Sequence, residues 1–159
     1  MSIKNEAVQH DEKTEILRNA IEHRATWMYF LLDEAEKDGL EWDGFGRRAI
    51  RRCGTFHGTT KFPKTNSVKE FGEAFATDIL KKTFDMEVVE CSEERFAVDF
   101  HYCPLVNAWM KQTGDEEKVA HLCDIAMDGD RGIVDAYTLV SSSIWKAPSR
   151  RGSRFAGSM

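Results

Sequence analysis

Apolar residues recur at helical spacing through the first quarter of the chain. From residue 14 to residue 38 they lie three and four positions apart, and Gly39 supplies a helix stop. The residues of this stripe are Ile16, Leu17, Ala20, Ile21, Trp27, Met28, Phe30, Leu31 and Ala35. The pattern predicts a long helix whose apolar side is part of the core.

A second, shorter helix is predicted after the first. Asp43 can cap its start, and Gly54 and Gly58 are expected to end it, which leaves residues 59–66 as a loop. Its predicted buried stripe consists of Phe45, Ala49, Ile50 and Cys53.

The middle of the chain predicts a third helix followed by a β-hairpin. Ser67 and Glu70 have the spacing of a capping box, which marks the start of the helix. The apolar face of this helix consists of Phe71, Phe75 and Ile79. Apolar and polar residues then alternate around residues 84–88 and 96–100, on either side of a turn at 92–94, as they do in paired strands.

Two further helices and a last strand complete the predicted order. Pro104 suits the first turn of a fourth helix, because it lacks the N–H that would be unpaired there. Asp115 can cap a fifth helix, and Gly129 is expected to end it. A short strand is predicted at residues 134–140. One side of the fifth helix is apolar, with Val119, Leu122, Cys123, Ala126 and Met127.

These elements predict an α+β fold. A helical N-terminal half packs on a small antiparallel sheet, and two helices are inserted before the last strand. The predicted domain spans residues 14–140, while residues 1–13 and the Ser- and Arg-rich residues 141–159 are expected to be flexible tails.

The composition is that of a soluble globular protein. The chain has 159 residues, 42% hydrophobic and 31% charged, which suffices for one core. A formal net charge of −5 argues against nucleic acid as a partner, and no apolar run approaches the roughly 20 residues that cross a membrane. No signal peptide is recognisable, so we expect a cytoplasmic protein. Its four cysteines are spread singly, so we expect free thiols. No cofactor or metal is predicted, the expected partner is a small-molecule substrate, and self-association into a homo-oligomer is left open.

Cys103 is the first candidate for chemistry. It is the predicted N-cap of the helix that Pro104 begins, where free backbone N–H groups and the helix dipole favour a negative charge. A thiol there is expected to ionise easily and to act as a nucleophile, with His101 as proton acceptor or donor. The alternative is that Cys103 is a small buried apolar residue and His101 an ordinary strand residue.

His57 is the second candidate, because the glycines at 54 and 58 would let a ligand approach closely. It is either a general base or metal ligand, or a histidine that caps a helix end.

One side of the fifth helix carries the polar residues Glu117, His121, Asp124 and Asp128. Their spacing allows a divalent metal, although a solvated acidic surface is the favoured interpretation. Asp124 can still orient an imidazole or bind a cationic group of a substrate.

Two arginines are candidates for binding a carboxylate, which the guanidinium fork matches. Arg24 interrupts the apolar stripe of the first helix beside Trp27, and Arg131 lies in the predicted loop 128–132. Arg24 alternatively extends to the surface or pairs with an acid, and Arg131 alternatively pairs with a neighbouring aspartate.

Four segments together resemble the L-2-amino-thiazoline-4-carboxylic acid hydrolases. They are residues 22–27 (EHRATW), 52–58 (RCGTFHG), 100–106 (FHYCPLV) and 122–132 (LCDIAMDGDRG). The similarity extends from about residue 15 to residue 132. It implies hydrolysis of a five-membered cyclic isothiourea to a carbamoyl-cysteine.

The chemistry of that reaction fits the candidate residues. The ring carbon between the sulfur and two nitrogens is electrophilic once the amidine is protonated, so a thiolate or activated water can attack it. A histidine would transfer protons, an aspartate would pair with the amidinium, and an arginine would bind the carboxylate. The predicted catalytic residues are Cys103, His101, His57 and Asp124, and the predicted substrate-binding residues are Arg24, Arg131 and Trp27.

Three other interpretations stay open. Water activated by a metal on His57, His101 or His121 would replace the thiolate. The order of elements is also remotely similar to small-molecule-binding regulatory domains of the four-vinyl-reductase type, in which thiols hold a ligand without turnover. A scaffold subunit is the last alternative, favoured if no pocket exists near Cys103 and His57.

Overall fold

The computed structural model describes residues 3–62, 64–137 and 155–158. Helices dominate the described chain, and a small antiparallel sheet completes it. The elements in chain order are α1 (Glu12–Lys37), α2 (Trp42–Lys61), α3 (Val68–Phe75), α4 (Asp78–Thr83), β1 (Met86–Cys91), β2 (Phe96–Phe100), α5 (Pro104–Met110), α6 (Glu116–Tyr137) and β3 (Phe155–Ser158).

Helix α1 confirms the predicted long first helix. Asp11 caps it by accepting a hydrogen bond from the Thr14 N–H at 3.1 Å. The inward side of α1 packs on α5 and α6 and forms the larger core cluster with them. That cluster contains Ala25, Tyr29, Leu32, Val106, Ala108, Trp109, Val119, Leu122 and Ile125.

The predicted core stripe of α1 is partly wrong. Ile16, Trp27, Phe30 and Leu31 are exposed in the structure. Apolar residues cover more than half of the circumference of α1, and the layer beneath it covers only one side. Spacing alone therefore identified an apolar helix but not which part of its apolar surface is buried.

The sequence predicted that the second helix ends at Gly54 and Gly58, and this prediction is wrong. Helix α2 continues to Lys61, into the expected loop. The glycines lie where α2 crosses α6 with the two backbones in contact. A methyl group added at Gly54 would overlap the carbonyl oxygen of Gly129, and one added at Gly58 would lie 2.7 Å from the carbonyl oxygen of Ile133. These glycines therefore serve close helix packing and not helix termination.

The predicted buried stripe of α2 is also wrong for three of its four members. Phe45, Ala49 and Cys53 are exposed, and only Ile50 packs on the larger core. The buried positions of α2 are its glycines, because α6 approaches that side.

Charged side chains flank the contact between α2 and α6. Arg47 on α2 donates to Asp124 and Asp128 on α6 at 2.7 and 3.1 Å. Arg51 adds bonds to Asp128 and Asp135. The polar side of the fifth helix is thus a partner surface for α2, which corrects its interpretation as a solvated acidic surface.

The third helix and the hairpin agree with the sequence pattern. The Ser67 hydroxyl caps the helix by accepting a hydrogen bond from the Glu70 N–H at 3.0 Å. The reciprocal bond of a capping box is not formed, because the Ser67 N–H donates to the Thr65 hydroxyl. Ile79 belongs to the separate helix α4, where it is exposed, so its assignment to the apolar face of α3 is wrong. Residues of α3, β1 and β2 form the smaller core cluster, with Phe71, Phe75, Met86, Phe96 and Val98 at its centre.

Strands β1, β2 and β3 form the antiparallel sheet in that order. Helices α5 and α6 lie between β2 and β3 in the chain, which confirms the α+β class with two helices inserted before the last strand. The prediction of a strand at residues 134–140 is wrong for residues 134–137. These residues are helical, because α6 continues through Gly129 and Gly132. Residues 138–140 and most of the predicted C-terminal tail are outside the described part of the chain. The domain boundary of 14–140 stays a prediction. No helix in the described residues is both long and apolar enough to cross a bilayer.

Replacing Gly54 by alanine should destabilise the protein. Alanine favours a helix over glycine by about 1 kcal/mol, but the added methyl meets a rigid backbone carbonyl, and such overpacking costs about 1–3 kcal/mol or more. Urea denaturation should show a lower free energy of unfolding for Gly54→Ala. Gly114→Ala is the matched control, because no atom lies within 4 Å of its added methyl. A Gly54→Ala variant as stable as the wild type would contradict the direct contact of the two helices.

Candidate functional site

Cys103 is the N-cap of α5, as the sequence predicted. Its backbone is extended (φ −134°, ψ 116°), and Pro104 follows in the first turn. Asn5 holds this position from the N-terminal segment. Its side chain accepts a hydrogen bond from the Cys103 N–H at 2.7 Å and donates one to the Cys103 carbonyl at 3.0 Å. Both backbone groups of Cys103 are thus fixed, which orients its side chain.

The Cys103 thiol is not acidic in this structure. Burial raises its pKa to about 11, although the N–H groups of Leu105 and Val106 act in the opposite direction. The expectation that the helix N-terminus would make this thiol ionise easily is therefore wrong for the protein without a ligand. Desolvation outweighs the backbone amides, so ionisation of this thiol would require a base or a bound cation.

Arg24 connects the groups around Cys103. Its positive charge lowers the pKa values of Cys103, His57 and Asp130, which come from α5, α2 and α6. Because screening limits the effect of a partly solvated charge to about 10 Å, Arg24 lies within electrostatic range of all three groups. Within the described part of the chain, Arg24 forms no hydrogen bond or ion pair. We call Arg24, His57, Cys103 and Asp130 the Arg24 cluster.

Asp130 is the member of the Arg24 cluster that the sequence did not predict. Burial raises the pKa of its carboxyl to about 6, and Arg24 and Arg131 only partly oppose this shift. Its carboxylate makes no hydrogen bond or ion pair with any residue described. The sequence placed Asp130 in a loop, but in α6 it follows Cys123 by seven residues and so lies on the same side. Had the predicted fifth helix been continued past Gly129, the sequence would have placed Asp130 on the side of Cys123.

His57 also lacks a partner. Its Nδ1 atom is buried without a hydrogen bond, while its ring contacts Phe56 edge-on. Burial lowers its pKa, and Lys61 and Arg24 lower it further, so these surroundings favour the neutral form of the ring. A neutral imidazole with a free nitrogen can accept or relay a proton.

Cys123 lies beside the cluster. Burial raises its pKa well above the usual value, and Cys103 and Asp124 add to this effect. Both cysteines pack on the larger core. This fits the place of Cys123 on the predicted apolar side of the fifth helix.

The other predicted site residues have partners elsewhere. The His101 ring is exposed and lies 3.3 Å from the Glu87 carboxylate. Asp124 is ion-paired with Arg47 and with Arg131, at 2.7 and 3.1 Å. Burial raises the pKa of Asp124, but these two arginines outweigh it and keep the pKa below its usual value.

Arg131 also lies 3.2 Å from the Asp128 carboxylate, so its pairing with aspartates is the alternative that the sequence left open. The exposed indole of Trp27 donates to the His23 ring at 3.0 Å. The functional roles of these residues stay predictions.

The Arg24 cluster combines four chemical capacities. A guanidinium can bind a carboxylate, a carboxylate can bind a cation, an imidazole can move a proton, and a thiol can attack an electrophile. Among the residues described, no three or more His, Cys, Asp or Glu side chains are grouped so that they could hold a metal ion. A surface recess of about 480 Å³ between α3, α4 and β1 contains none of these groups.

Comparison with protein families places the chain in a known family. The family model described as L-2-amino-thiazoline-4-carboxylic acid hydrolase matches residues 18–142, and this range includes the whole Arg24 cluster. No curated protein and no solved structure matches the chain. The family model covers more than half of the sequence, and the chain therefore belongs to the L-2-amino-thiazoline-4-carboxylic acid hydrolase family.

Proposed function

We propose that this protein hydrolyses a small cyclic amidine of the L-2-amino-thiazoline-4-carboxylate type to a carbamoyl-cysteine, at the Arg24 cluster. The observation that carries the proposal is that Cys103, His57 and Asp130 all lie within electrostatic range of the Arg24 guanidinium. Arg24 and Asp130 form no hydrogen bond or ion pair with any residue described, and His57 has a free buried nitrogen. Polar groups left without partners in a folded protein are available to a ligand.

The charges of the thiazoline match the cluster. Its carboxylate is assigned to Arg24, and its protonated amidine to the Asp130 carboxylate. The sequence proposed Asp124 for the amidine, but Asp124 already pairs with two arginines. Asp130 has a free carboxylate nearer to the thiol, since its charge acts on Cys103.

Cys103 is the proposed nucleophile. The thiol proton passes to the neutral His57 ring, directly or through water, and the bound amidinium lowers the cost of forming the thiolate. Sulfur then adds to the ring carbon between the ring sulfur and nitrogens, giving a tetrahedral centre. One ring bond to that carbon breaks, and the imidazolium returns the proton to the leaving atom.

One water completes the reaction. It adds to the carbon bound to Cys103 and expels the thiolate, so the product is the ring-opened carbamoyl-cysteine and the enzyme is regenerated. The sum is substrate plus one water, without an oxidant or a second substrate. His57 is preferred over His101 as the proton carrier, because His101 is exposed and lies against Glu87.

A non-enzymatic ligand-binding or sensory domain is the second candidate. The raised pKa of Cys103 favours it, because a thiol that stays protonated can contact a ligand without attacking it. Binding of the thiazoline without any release of product would support this alternative.

Replacing Cys103 by serine should abolish turnover of the thiazoline, by about a thousandfold or more, because an alcohol is a far weaker nucleophile here. Product formation by chromatography is the measurement, and circular dichroism should show an intact fold. Cys53→Ser, which removes an exposed thiol, is the matched control. Unchanged activity of Cys103→Ser would exclude this nucleophile.

Replacing Arg24 by glutamine should raise KM for the carboxylate substrate about 10- to 100-fold, the value of one charged hydrogen-bonded contact. The same substitution should lower kcat/KM for 2-aminothiazoline far less, because that ring has no carboxylate and only the effect of the Arg24 charge on the neighbouring groups is lost. Arg95→Gln on the hairpin is a control at an exposed arginine. Equal losses on both substrates would argue against a carboxylate contact.

The pH dependence of kcat/KM should reflect the ionisation of the Asp130 carboxyl group. Only its ionised form binds the amidinium, so kcat/KM should fall as the pH decreases through about 6, tenfold per pH unit. Asp130→Asn should lower kcat/KM at neutral pH and make the acid limb less steep, leaving only the protonation of His57, whereas Asp78→Asn at an exposed site should retain the wild-type profile. An acid limb of unchanged steepness and midpoint in Asp130→Asn would exclude Asp130 as its source.

A further inference from the structure

The chain before α1 lies against the domain as an extended segment. Residues 3–11 form neither helix nor strand, and Ile3, Asn5 and Ala7 are partly buried while residues 4, 6 and 8 are exposed. Alternate burial of this kind is typical of an extended chain that packs with one side on a protein surface. Ile3 packs on the larger core. We call residues 3–11 the N-terminal strap.

The end of the N-terminal strap nearest α1 is anchored on Arg18 and Asp85, two residues that are almost fully buried. The Val8 N–H donates to the Asp85 carboxylate at 2.8 Å, and the Arg18 guanidinium donates to the Gln9 carbonyl. Asp85 has a φ of 42°, a left-handed conformation that residues other than glycine rarely adopt. Its conformation therefore depends on the contacts that surround it.

The same two residues hold the chain that leads to Cys103. The His101 N–H donates to the Asp85 carbonyl at 3.3 Å. The Tyr102 ring packs on the Arg18 guanidinium, with 4.6 Å between the ring centroid and the Arg18 Cζ atom. The N-terminal strap and residues 101–103 thus share one buried anchor, which brings the strap to the N-cap of α5.

We propose that Asn5 is a positioning residue of the Arg24 cluster, whose side-chain amide holds the Cys103 backbone in the conformation from which the thiol reacts. The expected effect on turnover rests on the proposed function, whereas the expected effect on the thiol itself does not. The family match begins at residue 18, so Asn5 contributes to the site from outside the matched range.

The contact between Asn5 and Cys103 acts on the backbone of a single residue. The Asn5 amide accepts from the Cys103 N–H at 2.7 Å and donates to the Cys103 carbonyl at 3.0 Å. The Cys103 carbonyl also accepts from the Asn107 N–H at 3.0 Å, the helical bond that an N-cap carbonyl makes. Loss of the Asn5 amide therefore leaves the first turn of α5 bonded, but it removes the acceptor of the Cys103 N–H and frees the N-cap backbone to rotate.

The backbone conformation of Cys103 determines where its sulfur lies. The N–H groups of Leu105 and Val106 lower the pKa of the thiol, which places the sulfur over the first turn of α5. Rotation of the Cys103 backbone would move the sulfur from this place, and misplacement of a reacting atom by about 1 Å can cost about 100-fold in rate. Because the Asn5 amide is engaged with the Cys103 backbone, its loss should affect the chemical step more than substrate binding.

Replacing Asn5 by alanine should lower kcat for the thiazoline by about 10- to 100-fold and change KM by less than about twofold. Glu6→Ala is the matched control, because Glu6 is the exposed neighbour of Asn5 in the N-terminal strap. Circular dichroism and urea unfolding should show that both variants are folded under the assay conditions.

Alkylation of the full-length protein by iodoacetamide without substrate, followed by peptide mass spectrometry, measures the thiol directly. The chain contains its own references, because Cys53 is exposed and Cys123 lies with Cys103 on the larger core. In Asn5→Ala, Cys103 should react about tenfold faster than in the wild type, because the released thiol reaches water. The rates of Cys53 and Cys123 should not change.

An unchanged alkylation rate of Cys103 in Asn5→Ala would overturn the proposal. Faster alkylation of Cys123 together with Cys103 would also overturn it, because the substitution would then loosen the core as a whole, as would an equal loss of kcat in Glu6→Ala. A wild-type protein that does not turn over the thiazoline would contradict the proposed function, and the alkylation rates alone would then decide whether Asn5 holds the thiol.

Discussion

The direct backbone contact between α2 and α6 is the constraint on which the rest of the structure depends. Gly54 and Gly58 on α2 meet Gly129 and Ile133 on α6 with no side chain between them. Helices that approach this closely cannot slide or rotate without overlap of their backbones. Ion pairs between Arg47 or Arg51 and the aspartates of α6 flank the contact, and they are worth less than the packing because they are partly solvated.

This contact also positions the Arg24 cluster. His57 lies on α2 between the two contacting glycines, and Asp130 follows Gly129 on α6, so the packing of the two backbones fixes both side chains at once. Cys103 and Arg24 reach the same place from α5 and α1, which pack on α6 through the larger core. A thiol, an imidazole and a carboxylate thus share one guanidinium although they are far apart in sequence. Membership of the hydrolase family and this cluster are consistent with each other.

The sequence predicted the elements whose signals are local. The N-cap at Ser67, the hairpin and the N-cap at Cys103 all follow from neighbouring residues, and all three are present. The glycines of α2 were wrongly predicted to end the helix. A glycine can either end a helix or let a second helix approach closely, and only the position of the second helix, here α6, distinguishes the two. Because the predicted fifth helix ended at Gly129, Asp130 was assigned to a loop and was not among the candidate residues. The apolar width of α1 was visible in the sequence, but the choice of its buried side depends on where α5 and α6 lie.

A crystal structure of the Cys103→Ser variant with L-2-amino-thiazoline-4-carboxylate bound is the most direct measurement of whether the Arg24 cluster is the active site. The ligand carboxylate should lie within hydrogen-bond distance of the Arg24 guanidinium, its amidine should contact Asp130, and the ring carbon should face residue 103. A ligand bound in the recess beside Cys91, or one that leaves Arg24 and Asp130 without a contact, would contradict this assignment.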